Sequence, residues 1–216
     1  MALFDVSAST AAHPIREQYA RDFEKIIGLV TSGGIVAADI IDDNPLAHST
    51  VPINEPFKPR SAAESNLYYQ RRIRAHRARV LQLARSILDK RRSDRPGSHI
   101  FEALHLAERI FATYQDRQKL LVVFSDMIEQ SHRYDFAQEN LTQERIASII
   151  EAERDAMRIP DLRDVEVCVT GAGASTAGGI PSEQILAIRD FWLRYFGVAG
   201  ANLPKVRYGA TLLACP

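Results

Sequence analysis

The chain is poor in cysteine: only Cys168 and Cys215 occur among 216 residues, which excludes a disulfide scaffold and a cysteine-rich zinc module. It also has no net charge. Its 27 Lys and Arg balance 27 Asp and Glu, which argues against a general nucleic-acid coat protein, although not against local patches. No apolar run approaches the roughly 18 residues that cross a bilayer. The first residues lack the basic and apolar regions of a signal peptide, while a strand so close to Met1 leaves a removed leader, and hence the compartment, open. Internal repeats and low-complexity tracts are absent as well. What remains is an ordinary mixture, 46% hydrophobic and 25% charged, long enough to bury a core in one domain spanning 1–216.

Periodicity predicts strands alternating with helices. Residues 2–6 (ALFDV), 35–41 (IVAADII), 120–124 (LLVVF) and 165–170 (VEVCVT) read as buried strands, and 206–213 as a last one. Residues 50–54 suit a short return strand, which Pro52 confines to an edge. Helical spacing covers 15–30, 62–90, 100–114, 142–156 and 182–196, with Thr142 and Ser98 as caps for the helices they precede. Residues 91–97 read as a loop. Strands separated by helices imply an α/β fold, with a mostly parallel sheet covered on both faces.

Ligands in such sheets sit beyond the carboxyl ends of the strands, where strand order reverses. There the sequence places Asp5-Val6-Ser7-Ala8-Ser9, Pro96-Gly97-Ser98-His99 and Ser125-Asp126-Met127. These supply hydroxyls and few carboxylates, a hard-oxygen donor set that suits Mg²⁺ or Mn²⁺.

The three stretches resemble the motifs of the von Willebrand factor A-type domain with its metal-ion-dependent adhesion site. Asp5-x-Ser7-x-Ser9 is similar to the first motif, 97–104 to the second, and the apolar strand ending in Ser125-Asp126 to the third. The resemblance runs over roughly 1–200. It implies a three-layer Rossmann-like fold of about six strands, one an antiparallel edge strand. It also implies that Ser7 and Ser9 bind the metal directly, that Asp5 acts through water and holds the loop, that Ser98 offers a third hydroxyl, and that Asp126 contacts the ion or its water. In relatives an acidic residue of a protein partner completes the shell, without chemistry. Two departures stand out: Ser98 replaces the usual Thr, and Met127 follows Asp126 where relatives carry Gly.

Other readings compete. Asp5, Ser7 and Ser9 also suit the N-terminus of the helix beginning near Pro14, where Ser and Asp are favoured caps. A Mg²⁺-dependent hydrolase or phosphoryl-transfer enzyme would use Asp5 and Asp126, with no candidate base nearby in sequence. The Gly-rich stretch 171–176 lacks the Lys of a P-loop. The six histidines show no metal-ligand spacing. Between Lys58 and Arg95, twelve basic residues face three acids, and a long basic helix at about 62–92 carries Arg71, Arg72, Arg74, Arg77 and Arg79. It reads either as a solvated face or as a contact for an acidic partner, the latter serving a metal-free scaffold of the same fold.

Overall fold

The computed structural model describes all residues except 49, 90–96, 175–178, 213 and 216. Eleven regular elements follow in the order β1 (Ala2–Asp5), α1 (His13–Leu29), β2 (Ile35–Ile41), β3 (Ile53–Pro56), α2 (Asn66–Asp89), α3 (Ile100–Thr113), β4 (Lys119–Phe124), α4 (Gln143–Asp155), β5 (Val165–Thr170), α5 (Ser182–Val198) and β6 (Tyr208–Gly209). The strands form one sheet in the order β3-β2-β1-β4-β5-β6. Every neighbouring pair is parallel except β2–β3. The expected α/β class, the mostly parallel six-stranded sheet and its single antiparallel edge strand are all present.

Successive strand residues point to opposite faces, and the two cores divide accordingly. Phe4, Ala38, Ile40, Val122, Phe124 and Cys168 meet α1 and α2 on one face. Leu3, Ile41, Leu121, Val123, Val165 and Val167 meet α3, α4 and α5 on the other. Both faces of the central strands are therefore largely apolar, which is why β4 reads as a continuous hydrophobic run and β2 and β5 as runs broken only by polar Asp39, Glu166 and Thr170. Aromatic rings fill each layer. Phe4 stacks on Phe124 at 4.7 Å, and Phe101 meets Tyr195 edge-on at 4.9 Å.

Several boundaries differ from expectation. β3 lies at Ile53–Pro56 rather than at 50–54, because it pairs with Ile35–Ala38 and is closed by Phe57, whose amide donates to the Gly34 carbonyl at 2.8 Å. α2 starts at Asn66, not at 62. The hydroxyl of Ser65 accepts the Tyr68 amide at 3.2 Å and supplies a cap that Ala62 and Ala63 cannot. The expected loop 91–97 and the far end of the basic helix lie outside the described residues, Gly97 apart. The last strand is only Tyr208–Gly209, since Lys205–Arg207 forms a 3-10 turn and the following residues leave the sheet edge; position 213 lies outside the described residues. Finally, Cys168 and Cys215 form a disulfide, with Cα atoms 5.9 Å apart. Two cysteines are too few for a scaffold, yet they are not free.

Candidate metal centre

β1 and β4 lie side by side, while the strands that follow each of them extend the sheet in opposite directions, so strand order reverses between them. At the carboxyl end of β1 the chain turns at once. Asp5 Oδ1 accepts the Ser7 amide at 3.0 Å, and Thr10 Oγ1 donates to the carbonyls of Asp5 at 2.8 Å and Ser7 at 3.2 Å. This is the side-chain-closed turn that Asp and Thr favour. It fixes Ser7 above the end of the sheet, with Ser9 Oγ 3.1 Å from Ser7 Oγ.

Two other loops reach the same carboxylate. Ser98 is pinned by reciprocal backbone bonds to Gln130, each 3.0 Å. Its hydroxyl stands 3.1 Å from both Asp5 oxygens. From the end of β4, Ser125 Oγ donates to Asp5 Oδ2 at 2.7 Å and accepts the Met127 amide at 2.9 Å. Asp126 sits beside it on the same rim; its Oδ1 accepts the Ile128 amide at 3.1 Å and its carbonyl accepts the Gly173 amide at 3.1 Å. The structure thus brings Asp5, Ser7, Ser98 and Ser125 into direct contact, adds Ser9 through Ser7, and sets Asp126 next to Ser125.

Met127 occupies the position where the resemblance expects glycine, and it adopts the backbone that glycine favours, with φ +64°. Its buried side chain packs into the α3–α5 core, and Trp192 Nε1 donates to its carbonyl at 2.8 Å. The loop therefore keeps a left-handed turn without the glycine.

The capping roles expected for these residues are not taken up. The residue before α1 is Ala12, which offers no side-chain cap, so Asp5, Ser7 and Ser9 do not serve that helix. Ser98 does not cap α3. Its hydroxyl is committed to Asp5; its carbonyl accepts the Ile100 amide at 3.0 Å, and the amides of Ile100 and Phe101 donate to Glu129 Oε2 at 2.7 and 3.3 Å. Glu129 is fully buried, and burial pushes its carboxyl up to about 8, against the pull of the Ser131, Phe101 and Ile100 donors.

Burial dominates at Asp5 too and raises its carboxyl above the ordinary range, while the hydroxyls and amide around it pull the other way. Its partners among the described residues are neutral donors. A buried carboxylate without a matching positive charge is costly, and a cation at this rim would remove that cost. The Tyr19 phenol, wholly buried and with no hydrogen-bond partner for its Oη among the described residues, is held well above its usual value by burial and then by the charges of Asp5 and Asp126. Both carboxylates therefore bear on one buried region.

The donor set fits a hard cation. An octahedral Mg²⁺ with oxygens at about 2.1 Å places neighbouring oxygens about 3 Å apart. The hydroxyls of Ser7 and Ser9 are 3.1 Å apart. Among the described residues there is no group of three His, Cys, Asp or Glu side chains arranged to hold a metal, so any ion here would rely on hydroxyls.

Sequence reasoning missed some of this machinery. Ser125 was visible in the Ser125-Asp126 pair, yet the role fell to Asp126 alone. Glu129 gave no local signal. Among the histidines, His48 links two carboxylates, with Nδ1 2.9 Å from Asp39 and Nε2 3.1 Å from Asp42. The Asp42 carbonyl accepts the His99 amide at 3.0 Å, which joins this group to the Ser98 turn. In the Gly-rich stretch, positions 175 and 176 lie outside the described residues. Gly171, at φ +94°, lies so close to the Tyr19 ring that a Cβ would meet its Oη at 2.4 Å.

No protein-family model matches this chain, and no curated protein matches it. Among solved structures it is similar to a von Willebrand factor type A protein from Catenulispora acidiphila, with 13% identity and a TM-score of 0.39. The similarity covers 90% of this chain and 41% of that one, so the chain spans less than half the length of that protein.

Proposed function

We propose that this chain is a protein-interaction module that captures an acidic side chain of a protein partner through Mg²⁺ or Mn²⁺ at the rim formed by Asp5, Ser7, Ser9, Ser98 and Asp126. The observation that carries the reading is the convergence of three loops on one buried carboxylate, at the point where strand order reverses. A bound ion supplies the positive charge that a partner's carboxylate seeks. Ser7, buried, and Ser9, partly exposed, bring their hydroxyls to 3.1 Å of each other beside Asp5. Asp5 orients the Ser98 and Ser125 hydroxyls and fixes the loop that carries Ser7. No bond is made or broken, so the reading needs no catalytic base.

The experiment is a thermal melt with and without millimolar MgCl₂ or MnCl₂. The melting temperature should rise in the wild-type chain, and Ser7→Ala should abolish the increment. An unchanged wild-type melt would favour a metal-free scaffold. Turnover of a phosphate ester that depends on Asp5 would favour the hydrolase.

The metal-free reading has its own support in α2. Leu67 and Tyr68 are 61% and 64% exposed, close to the exposed Arg71 and Arg74. The other expected arginines are engaged internally. Arg72 forks onto Glu64 at 2.8 and 2.9 Å, Arg77 donates to the Gly28 and Val30 carbonyls at the end of α1, and Arg79 lies 3.5 Å from Glu55. An acidic partner for this helix would meet Arg71 and Arg74, with Tyr68 as an anchor.

A further inference from the structure

We propose that the Cys168–Cys215 disulfide is a redox-operated clasp, holding the stretch from Tyr208 to Leu212 across the open edge of the sheet until a dithiol reduces it.

The path of the segment is the first ground. Tyr208 rests against the α3–α5 core, whereas Leu212 and Cys215 rest against the core under α1 and α2. Between them the chain passes round the outer side of β5, from one face of the sheet to the other. Tyr208 and Gly209 pair with Val169 and Thr170 on the way. The segment thereby covers backbone groups that an edge strand would otherwise offer to another chain.

The second ground is how few hydrogen bonds, among the described residues, fasten the strap apart from the disulfide. The Gly171 amide donates to the Ala210 carbonyl at 3.2 Å, and the Ala172 amide to the Gly209 carbonyl at 3.1 Å. Beyond those, the Leu212 amide reaches Asp22 Oδ2 at a long 3.3 Å, and Arg207 Nε reaches the Ala214 carbonyl at 3.2 Å. A regular strand of two residues, these bonds and the packing of Tyr208 and Leu212 are set against the entropy of ordering the segment. The covalent link shifts that balance for as long as it stays oxidised, by keeping the loop closed.

The third ground is access. Cys168 is fully buried in β5 whereas Cys215 is half-buried, so of the two Cys215 is the more accessible to an incoming thiolate. The exchange balances simply. A dithiol's thiolate attacks Cys215 Sγ, the bond to Cys168 Sγ breaks, and the second thiol closes the reductant's own disulfide. The products are two protein thiols and one oxidised dithiol. Release would also loosen the turn at 171–173, whose Gly173 amide holds the Asp126 carbonyl.

The test compares the 216-residue chain in its oxidised form, after treatment with dithiothreitol, and as the Cys215→Ser variant. Hydrogen exchange followed by mass spectrometry, limited trypsin cleavage after Arg207 and far-ultraviolet circular dichroism serve as readouts. In both opened forms, exchange at 169–173 and cleavage after Arg207 should rise at least about tenfold, while the amides of β1, α3 and α4 keep their protection and the dichroism is unchanged. Equal protection in all three forms would overturn the proposal, because the strap would then be held without the clasp. Loss of helical dichroism on reduction would overturn it too, by making the bond a staple for the whole fold. So would two titratable thiols in the untreated, native chain.

Discussion

Ser98 Oγ stands 3.1 Å from each carboxylate oxygen of Asp5, although 93 positions separate the two residues. With Ser125 Oγ and the Ser7 amide on the same carboxylate, Asp5 is the hub that ties three loops together. Asp5→Ala would strand three buried donors at once and should cost about 3 kcal/mol in urea unfolding. Asp5→Asn keeps one acceptor oxygen and should cost less. Because the folded state raises the Asp5 carboxyl, this group's contribution in the metal-free chain is full below the ordinary carboxylate range and is lost as pH rises through the raised value. Asp5→Asn should remove that part of the pH dependence.

Glu129 gives a second, separate pH signature. Its carboxyl rises from the ordinary 4.5 to about 8 on folding, so the folded chain holds a proton that the unfolded chain releases. Its contribution to stability is complete below pH 4.5 and disappears as pH climbs toward 8. Glu129→Gln keeps an oxygen for the Ile100 amide and removes the buried charge. Denaturant unfolding should find the variant within about 1 kcal/mol of wild type at pH 5, and more stable by about 3 kcal/mol at pH 9. Equal stabilities at pH 9 would show that Glu129 is not held neutral.

His48 spans two carboxylates that would otherwise share a crowded, poorly hydrated corner, with Asp39 1% exposed. His48→Ala removes the ring that contacts both. Its expected cost is about 2 kcal/mol, measured by urea unfolding, since two largely buried hydrogen bonds are lost while the Ile40 and Asn44 amides still serve Asp39 and Asp42. His48→Gln, which can still donate to one carboxylate, should recover part of the loss.

Gly171 lies at φ +94° against the ring of Tyr19, and a Cβ there would come within 2.4 to 2.9 Å of three ring and hydroxyl atoms. Gly171→Ala should therefore destabilise the chain by about 2 to 4 kcal/mol. Tyr19→Phe should not rescue it, because ring carbons remain in the way. By itself Tyr19→Phe should be neutral or mildly stabilising, as it deletes a buried hydroxyl that has no partner. Thermal melts of the two single variants and the double variant would decide both points.

The elements that sequence periodicity located well are those whose partners lie within the element's own pattern. β2 falls at Ile35–Ile41 as expected, because a strand buried on both faces needs a mainly apolar run and the turn at Gly33 and Gly34 marks its start. Thr142 caps α4 through the Arg145 amide at 3.2 Å, a bond set by neighbouring residues. What escaped notice depends on distant partners. Ser98 looks like a cap from its neighbours, but a carboxylate 93 positions away claims its hydroxyl, and Glu129 does the capping from 29 positions away. β6 is cut short because residues after Gly209 are drawn toward Asp22 and Cys168, neither of which its own alternation could reveal. At the rim, the resemblance pointed to the three loops, whereas the part played by Ser125 emerged only from the packed geometry.

The four-residue strand β1 is flanked on both sides, with Ala2 facing Ala38 in one direction and Val122 in the other. Until the chain around Val122 has been laid down and paired, β1 is an apolar outer strand with an unsatisfied row of amides and carbonyls. Such a species is slow to finish, because its last pairing spans more than half the polypeptide. It also offers a template to other unfinished copies. Fresh chains at high concentration should therefore associate through this half-built ribbon, and refolding yield should fall with protein concentration even where the native protein is fully stable.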